Sequence, residues 1–493
     1  MASEVPVTTR PSGAGPATGS PSGVTQGIPP SSASRKRQSF DRSIIEGPIV
    51  PAVWKIAWPT VLQNAIGGLQ GIVDHALVGH YVGYTGNAAI GVSWQIFLVV
   101  IVFISSLFTG MGVLVARAAG ANDHDKVNRT VYQAFLTAVA LSLGILAPVG
   151  YAIAPTLLDL VNATPAVRAE ALPFLQTMFL YSIGLLMFFM LGGALRAAGD
   201  ARTPLRLGIA MTVLNFVLNV VFISGAGPVP AFGTRGAAMG TAIASITVSS
   251  VGLWLLFAGR LVVHFEPSMS LRPDFTIIRS LFRFGLPAGI QGVAMNVAGV
   301  MLLRFIGSLH DSAEAQAAYA VGYAELFSLI TWTSVGLMGA AAAVAGQNLG
   351  AGRPDRSAHA VHIAARMGLG VAATIGALFL LIPDQLLGVF GLNDPIVVRL
   401  GRELLRFLSV SGLFITVALT YTGGLQGTGD TRSPLYITLI SQFLLPPGIC
   451  FMLARTGHLQ ASGVWTAILV GHMTRCLLSV ARFQQGKWRQ IQV

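Results

Sequence analysis

The sequence predicts an all-α integral membrane protein of about twelve transmembrane helices, arranged as two parallel six-helix repeats around a central cleft. Three observations carry that expectation: a composition too apolar for water, a succession of apolar runs long enough to cross a bilayer, and an internal repeat held at one offset. Of 493 residues, 53% are hydrophobic and 10% are charged, against roughly 25% charged in soluble domains. Mean hydropathy is +0.68, so most of the chain cannot face water. The net charge of +12 would fit a nucleic-acid binder. The Lys and Arg instead sit in short breaks between apolar runs, where they orient membrane helices, and no nucleic-acid partner is expected. Cys450 and Cys476 both lie inside apolar runs and read as helix-packing residues. Two thiols cannot form a zinc site and there is no HExxH, so no metal or other cofactor is implied.

Residues 1–43 are rich in Pro, Gly, Ser and Thr and read as a disordered tail. No apolar core follows the start, so they do not read as a signal peptide. The cluster Arg35-Lys36-Arg37 just before the first span either meets anionic headgroups or acts as a plain topology signal. Apolar runs then cover 52–79, 88–115, 130–152, 171–194, 205–224 and 236–258, and again 283–306, 317–345, 360–382, 403–424, 435–454 and 461–482. Lipid offers the backbone no hydrogen-bond partner, so these runs must be helices. The expected organisation is a six-helix bundle over 44–258, a cytoplasmic linker over 259–282, a second bundle over 283–482 and a tail over 483–493.

Charge placement sets the expected topology. With a cytoplasmic N-terminus, 24 of the 31 Lys and Arg fall inside and 7 outside. Both termini are therefore expected in the cytoplasm, with the chain in the cell membrane. The repeat supports an even split. Gly199-Asp200-Ala201-Arg202-Thr203-Pro204 matches Gly429-Asp430-Thr431-Arg432-Ser433-Pro434, and Gly120-Ala121 matches Gly350-Ala351 at the same offset. Pro59 and Gln63 match Pro287 and Gln291 at nearly that offset. Six spans per half make the halves parallel, related by an axis along the membrane normal.

Several segments together resemble the multidrug and toxic compound extrusion transporters. They are Pro59…Gln63…Val73-Asp74…Val78-Gly79, Leu195-Arg196-Ala197-Ala198-Gly199-Asp200 with Pro204, Leu214-Asn215-Phe216-Val217-Leu218-Asn219, and Gly346-Gln347-Asn348-Leu349-Gly350-Ala351-Gly352. The resemblance spans about residues 50 to 482 and implies efflux of organic, often cationic, compounds driven by inward flow of protons or sodium. It implies that Asp74 takes the coupling cation. In the DinF-like branch the fifth span often adds Asn and Asp four apart; here the pair is Asn215 and Asn219, so the second carboxylate is missing. A further family site uses acids on the seventh and tenth spans. Met295, Asn296 and the stretch around Leu413 offer none, so the chain is closer to the DinF-like branch than to the NorM-like one.

The residues themselves point the same way. Asp74 lies deep in an apolar run, where a charge is costly and normally faces a polar interior. Desolvation makes a carboxyl hold its proton more readily, a property that a transport cycle needs. Asn215 and Asn219 share a helix face and either line a polar cavity or tie two helices; with Asp74 in the same half, a shared cation-coupling site is expected, with Thr241 joining from the sixth span. Glu325 on the eighth span is either a second protonation site or a partner for a nearby polar group. Gln63, Asn64 and Gln70 on the first span are expected to face a substrate cleft or to bond helices. Met187, Met190 and Met211 either give that cleft an adaptable apolar surface or face lipid.

The function this predicts is secondary active export of small molecules by rocking of two bundles, in a monomer surrounded by membrane lipids. A flippase for a lipid-linked precursor is the alternative; it would favour a basic cleft, and few arginines sit deep in the runs. A membrane-embedded transferase would need an acidic cluster of the DDxxD type, and a primary pump would need GxxxxGK[ST]; neither occurs.

Overall fold

A computed structural model describes residues 39–225, 228–266 and 269–493. The tail expected over 1–43 lies, up to residue 38, outside the described residues. Ser43–Glu46 already forms a helical turn with Ile44 and Ile45 buried, so helix is present where the expected tail ends.

The first long helix, α1, is Ile49–Tyr81. Then follow α2 Thr85–Gly120 and α3 His124–Leu160, and the broken α4, whose segments Pro165–Leu180 and Ser182–Ala197 bend by 53°. Arg202–Ser224 is α5 and Gly233–Phe257 is α6. The second half repeats the series as α7 Phe275–Gly307, α8 Ser312–Gly350, α9 Pro354–Leu381, α10 Pro395–Gly427, α11 Arg432–Arg455 and α12 Ala461–Gln484. Ten of these, among the described residues, are long and apolar enough to cross a membrane, and eleven if α4 counts as one span. α1 has the length but is less apolar, because Gln63, Asn64, Gln70, Asp74 and His75 lie along it. With α1 the total is the twelve spans read from the sequence. The seventh helix begins at Phe275, inside the stretch expected as linker, with Asp274 Oδ1 accepting from the Thr276 and Ile277 amides as its N-cap.

The two matched Gly-Asp loops show why the halves fold alike. Gly199 and Gly429 have φ of 99° and 100°, which a side chain would disfavour. Each ends a helix in the same way: the amide of Asp200 reaches the Leu195 carbonyl at 2.8 Å, and that of Asp430 reaches Leu425 at 2.9 Å. The Asp side chains then turn to the next helix, Asp200 accepting from the Thr203 amide at 3.0 Å and Asp430 from the Ser433 amide at 3.2 Å. Asp430 also pairs with Arg482, at 2.8 Å, and not with the loop's own Arg432.

Apolar burial divides the same way. One core joins the end of α1 with α2–α6 and takes in Leu281 and Phe284 from the start of α7; a second joins the rest of α7 with α8–α12. A third lies where the first part of α1 packs on α8, α9 and α10. The lobes meet through α1 with α8, α2 with α7 and α2 with α8. The last pair closes tightly at the end where Ser43–Glu46 and the C-terminal residues also pack. A Cβ on Gly120 would stand 1.9 Å from the Gln347 carbonyl oxygen, and one on Gly350 2.1 Å from that of Arg117. Gln347 Nε2 donates across this seam to the Ala197 carbonyl at 2.7 Å, and Asn348 Nδ2 to that of Ile44 at 3.3 Å. The segment expected as a tail over 483–493 also packs here. Trp488 is buried against Phe483, and Arg117 donates to the Ile491 carbonyl. Trp488 stays put because its ring finds an aromatic face and its N–H finds a carbonyl, 2.8 Å away on Phe483.

Candidate functional site

α1 supplies the acid. In its second half Gly67, Gly68, Gln70, Gly71, Asp74 and His75 line a cavity of about 600 Å³ inside the amino-terminal lobe, bounded also by α2, α4, α5 and α6. The break in α4 at Tyr181 shapes this space: Phe174 precedes the bend and Leu185, Phe188 and Phe189 follow it, and all four line the cavity. α10, the counterpart of α4, is one unbroken helix of 33 residues. Trp94, Leu98 and Ile101 from α2 complete an apolar wall. The volume is that of a small-molecule site, with a few polar groups in an apolar lining.

Asp74 lines this cavity half-buried, and its Oδ1 accepts from Asn219 Nδ2 at 2.7 Å. The same amide reaches Asn215 Oδ1 at 3.2 Å, and Asn215 Nδ2 donates to Thr241 Oγ1 at 3.0 Å. Thr241 in turn donates to the Ala237 carbonyl at 3.1 Å. Asn215 and Asn219 are fully buried, and they meet because a four-residue step keeps both on the face of α5 that packs on α6. Gly240 makes room there: a Cβ on it would collide with Asn219 Oδ1. That oxygen is buried and has no hydrogen-bond partner among the described residues. The four residues expected as a coupling site thus form one chain of hydrogen bonds across α1, α5 and α6.

The expected cleft residues divide. Gln63, Asn64, Gln70 and Met211 line the cavity. Gln70 Oε1 accepts from Thr212 at 3.0 Å and Gln63 Oε1 from Arg196 at 3.1 Å. Met187 and Met190 do not line it; both are buried in the core of the lobe. On a helix packed on several sides, apolar composition does not distinguish core from cleft. Glu325 lies in the other lobe, in a π-helical turn of α8 spanning Ala320–Leu326, and is not brought to the cavity. Its backbone carbonyl accepts from the Ser328 hydroxyl.

Trp94 and Phe174 carry no signal that separates them from other apolar positions. His75, next to Asp74, bonds Asn87 through Nδ1 and also faces the cavity. Two arginines read as loop or end residues sit elsewhere. Arg196 lies in the last turn of α4 with its side chain turned back along the helix to Gln63. Arg475 lies within α12, only 1% exposed. Among the described residues, no group of three or more His, Cys, Asp or Glu could hold a metal ion.

The MatE family model matches this chain twice, over residues 59–221 and 287–452, once in each half. Over 445 residues the chain is 26% identical to a probable multidrug resistance protein NorM from Thermotoga maritima, covering 88% of this chain and 92% of that one. It is 25% identical to the multidrug resistance protein MdtK of Pectobacterium atrosepticum, over 87% of this chain and 94% of the relative. Among solved structures it is similar to an outward-facing multidrug resistance MATE family transporter of the MOP superfamily. The TM-score is 0.84 at 19% identity, over 92% of this chain and all of that one. A MOP superfamily transporter from Pyrococcus furiosus gives a TM-score of 0.83 at 19% identity over the same 92%.

Proposed function

The chain belongs to the MatE family, and from that premise we propose that it is a proton-coupled exporter of organic compounds, closer to the DinF-like branch, working by alternating access of its two lobes in the cell membrane. The observation that carries the reading is the single cavity acid. Asp74 lies in the wall of a drug-sized space and is linked to a buried polar chain that reaches two further helices. The names of the relatives, multidrug resistance proteins, support efflux of varied compounds. The position of the coupling residues, all in the amino-terminal lobe, supports the DinF-like assignment.

The chemistry follows from the side chains. Asn219 donates through Nδ2 to Asp74 Oδ1, an oxygen that stays an acceptor when the carboxyl is protonated on its other oxygen. A group satisfied in either state suits an acid that alternates between them. With Asp74 charged, the cavity attracts an organic cation; with Asp74 protonated, that attraction is gone. Exchange of proton for cation at one carboxylate couples the two flows. The lobes are sealed at one end by Gly120 and Gly350, and the cavity lies beyond that seal. With that end in the cytoplasm, this arrangement closes the cavity from the inside.

The test uses purified protein in liposomes with an imposed pH gradient and a fluorescent cationic dye. Wild type is expected to move dye only with the gradient, and Asp74→Asn, which keeps an acceptor for Asn219 but loses the charge, is expected to lose that movement. Equal transport by both would remove Asp74 from the coupling step and turn attention to Glu325. Movement driven by sodium alone would replace the proton as coupling ion.

A further inference from the structure

A second, smaller cavity of about 250 Å³ lies between the lobes, closer to the sealed end. Thr60, Asn64, Thr109 and Arg196 line it from the amino-terminal lobe, and Met338 and Gln426 are among those that line it from the other. Asn64 belongs to both cavities, and Gln63, which lines the larger, holds Arg196 of the smaller. One molecule in the large cavity can therefore extend a group into the small one.

Arg196 is the only charged residue in its lining. Its one hydrogen bond is to the neutral amide of Gln63, and no carboxylate pairs with it among the described residues. A guanidinium presents five N–H donors in a planar fork that fits a carboxylate or phosphate. A cavity of this volume is below the roughly 300 Å³ at which whole drug-sized ligands begin to fit, but it has room for one such group. Resting on the exporter reading above, we propose that this cavity binds the anionic group of the substrate through Arg196. The preferred cargo is then a zwitterion, with its cationic or apolar body in the large cavity beside Asp74 and its carboxylate, sulfonate or phosphate in the small one. Because residues of both lobes form the site, it is whole only while the seam is closed, and occupancy favours that arrangement.

A matched pair of dyes tests this. Rhodamine 110 carries a free carboxylate, and rhodamine 123 is its methyl ester, with the same fluorophore. Binding of each is measured by fluorescence polarisation to the full-length protein in phosphatidylcholine nanodiscs. Wild type is expected to bind the acid more tightly than the ester by about tenfold, as a charge-assisted hydrogen bond allows. In Arg196→Gln that ratio is expected to fall to about one. Should the glutamine variant fail to fold, Arg196→Lys carries the test: it keeps the charge but loses the fork, and the ratio is expected to fall part of the way. A wild-type ratio near one with the ester still bound overturns the anionic site and leaves the exporter reading standing. A ratio unchanged in the variants also overturns it. Binding of neither dye to wild type overturns both. Repeating the wild-type measurement with phosphatidylglycerol in the nanodiscs separates substrate from lipid. A retained preference supports the substrate group, and a preference abolished by the lipid assigns the anion to a headgroup and overturns the zwitterion.

Discussion

Asp74 and Asn219 face each other from different helices at 2.7 Å, and that contact joins the acid to the rest of the polar chain. Removing Asn219 leaves the acid without its donor, whereas removing Thr241 touches the acid only through two amides. Asn219→Ala is expected to slow gradient-driven export by about tenfold or more, the scale of one hydrogen bond to a charged group. Thr241→Ala is expected to cost less than about threefold. Initial rates in liposomes decide between this order and its reverse, which would place the functional weight on α6. The acid and its partners were legible in the sequence for a physical reason: polar side chains at bilayer depth are costly enough that each needs an explanation. The same reasoning has no grip on apolar residues. Met211 lines the cavity while Met187 and Met190 fill the core, and nothing in their side chains separates the two fates. Arg196 was hidden differently. It stands in the last turn of a helix, where sequence alone reads a loop, and only the direction of its side chain brings it between the lobes.

At the scale of the helices, small residues divide into those that seal and those that leave space. Gly236, Gly240, Gly285, Gly289, Gly346 and Gly350 all stand against a neighbouring segment, while Gly67 and Gly71 have nothing within 4 Å of a built Cβ. All four pairs have the same spacing in the sequence, so the pattern marks a helix face and not what meets it. Gly120→Ala should force the α2–α8 seam apart at a cost of about 1–3 kcal/mol, the usual range for overpacking. Gly71→Ala, pointing into the cavity, should cost little. Thermal unfolding in detergent compares the two directly. A larger loss from Gly71→Ala would show that the seam yields more readily than its backbone contacts imply. The bend in α4 was not foreseen either. Tyr181, where it breaks, is neither Gly nor Pro, although Pro173 lies earlier in the helix. Turn chemistry, by contrast, was readable: the two Gly-Asp loops end and start helices as their residues dictate.

Across the whole molecule, two halves of one pattern have become chemically unlike. The composition, the run lengths and the single repeat offset were enough to read twelve helices in two sets, because lipid allows the backbone few other choices. The difference between the halves could not be read that way. The amino-terminal lobe holds a broken α4, a cavity and its acid. The other lobe has an unbroken α10 and the buried Arg475. On the proposed function, the first lobe exchanges ions while the other closes against it. The central claim is that substrate and proton move in opposite directions through Asp74. The most direct measurement starts with no imposed gradient: liposomes containing the protein and a trapped pH dye are given a cationic substrate on one side only. Wild type is expected to drive protons opposite to the substrate, shifting the trapped dye, and Asp74→Asn is expected to leave the dye unchanged. Substrate movement by wild type with no proton movement, or proton movement that survives in Asp74→Asn, would contradict the claim.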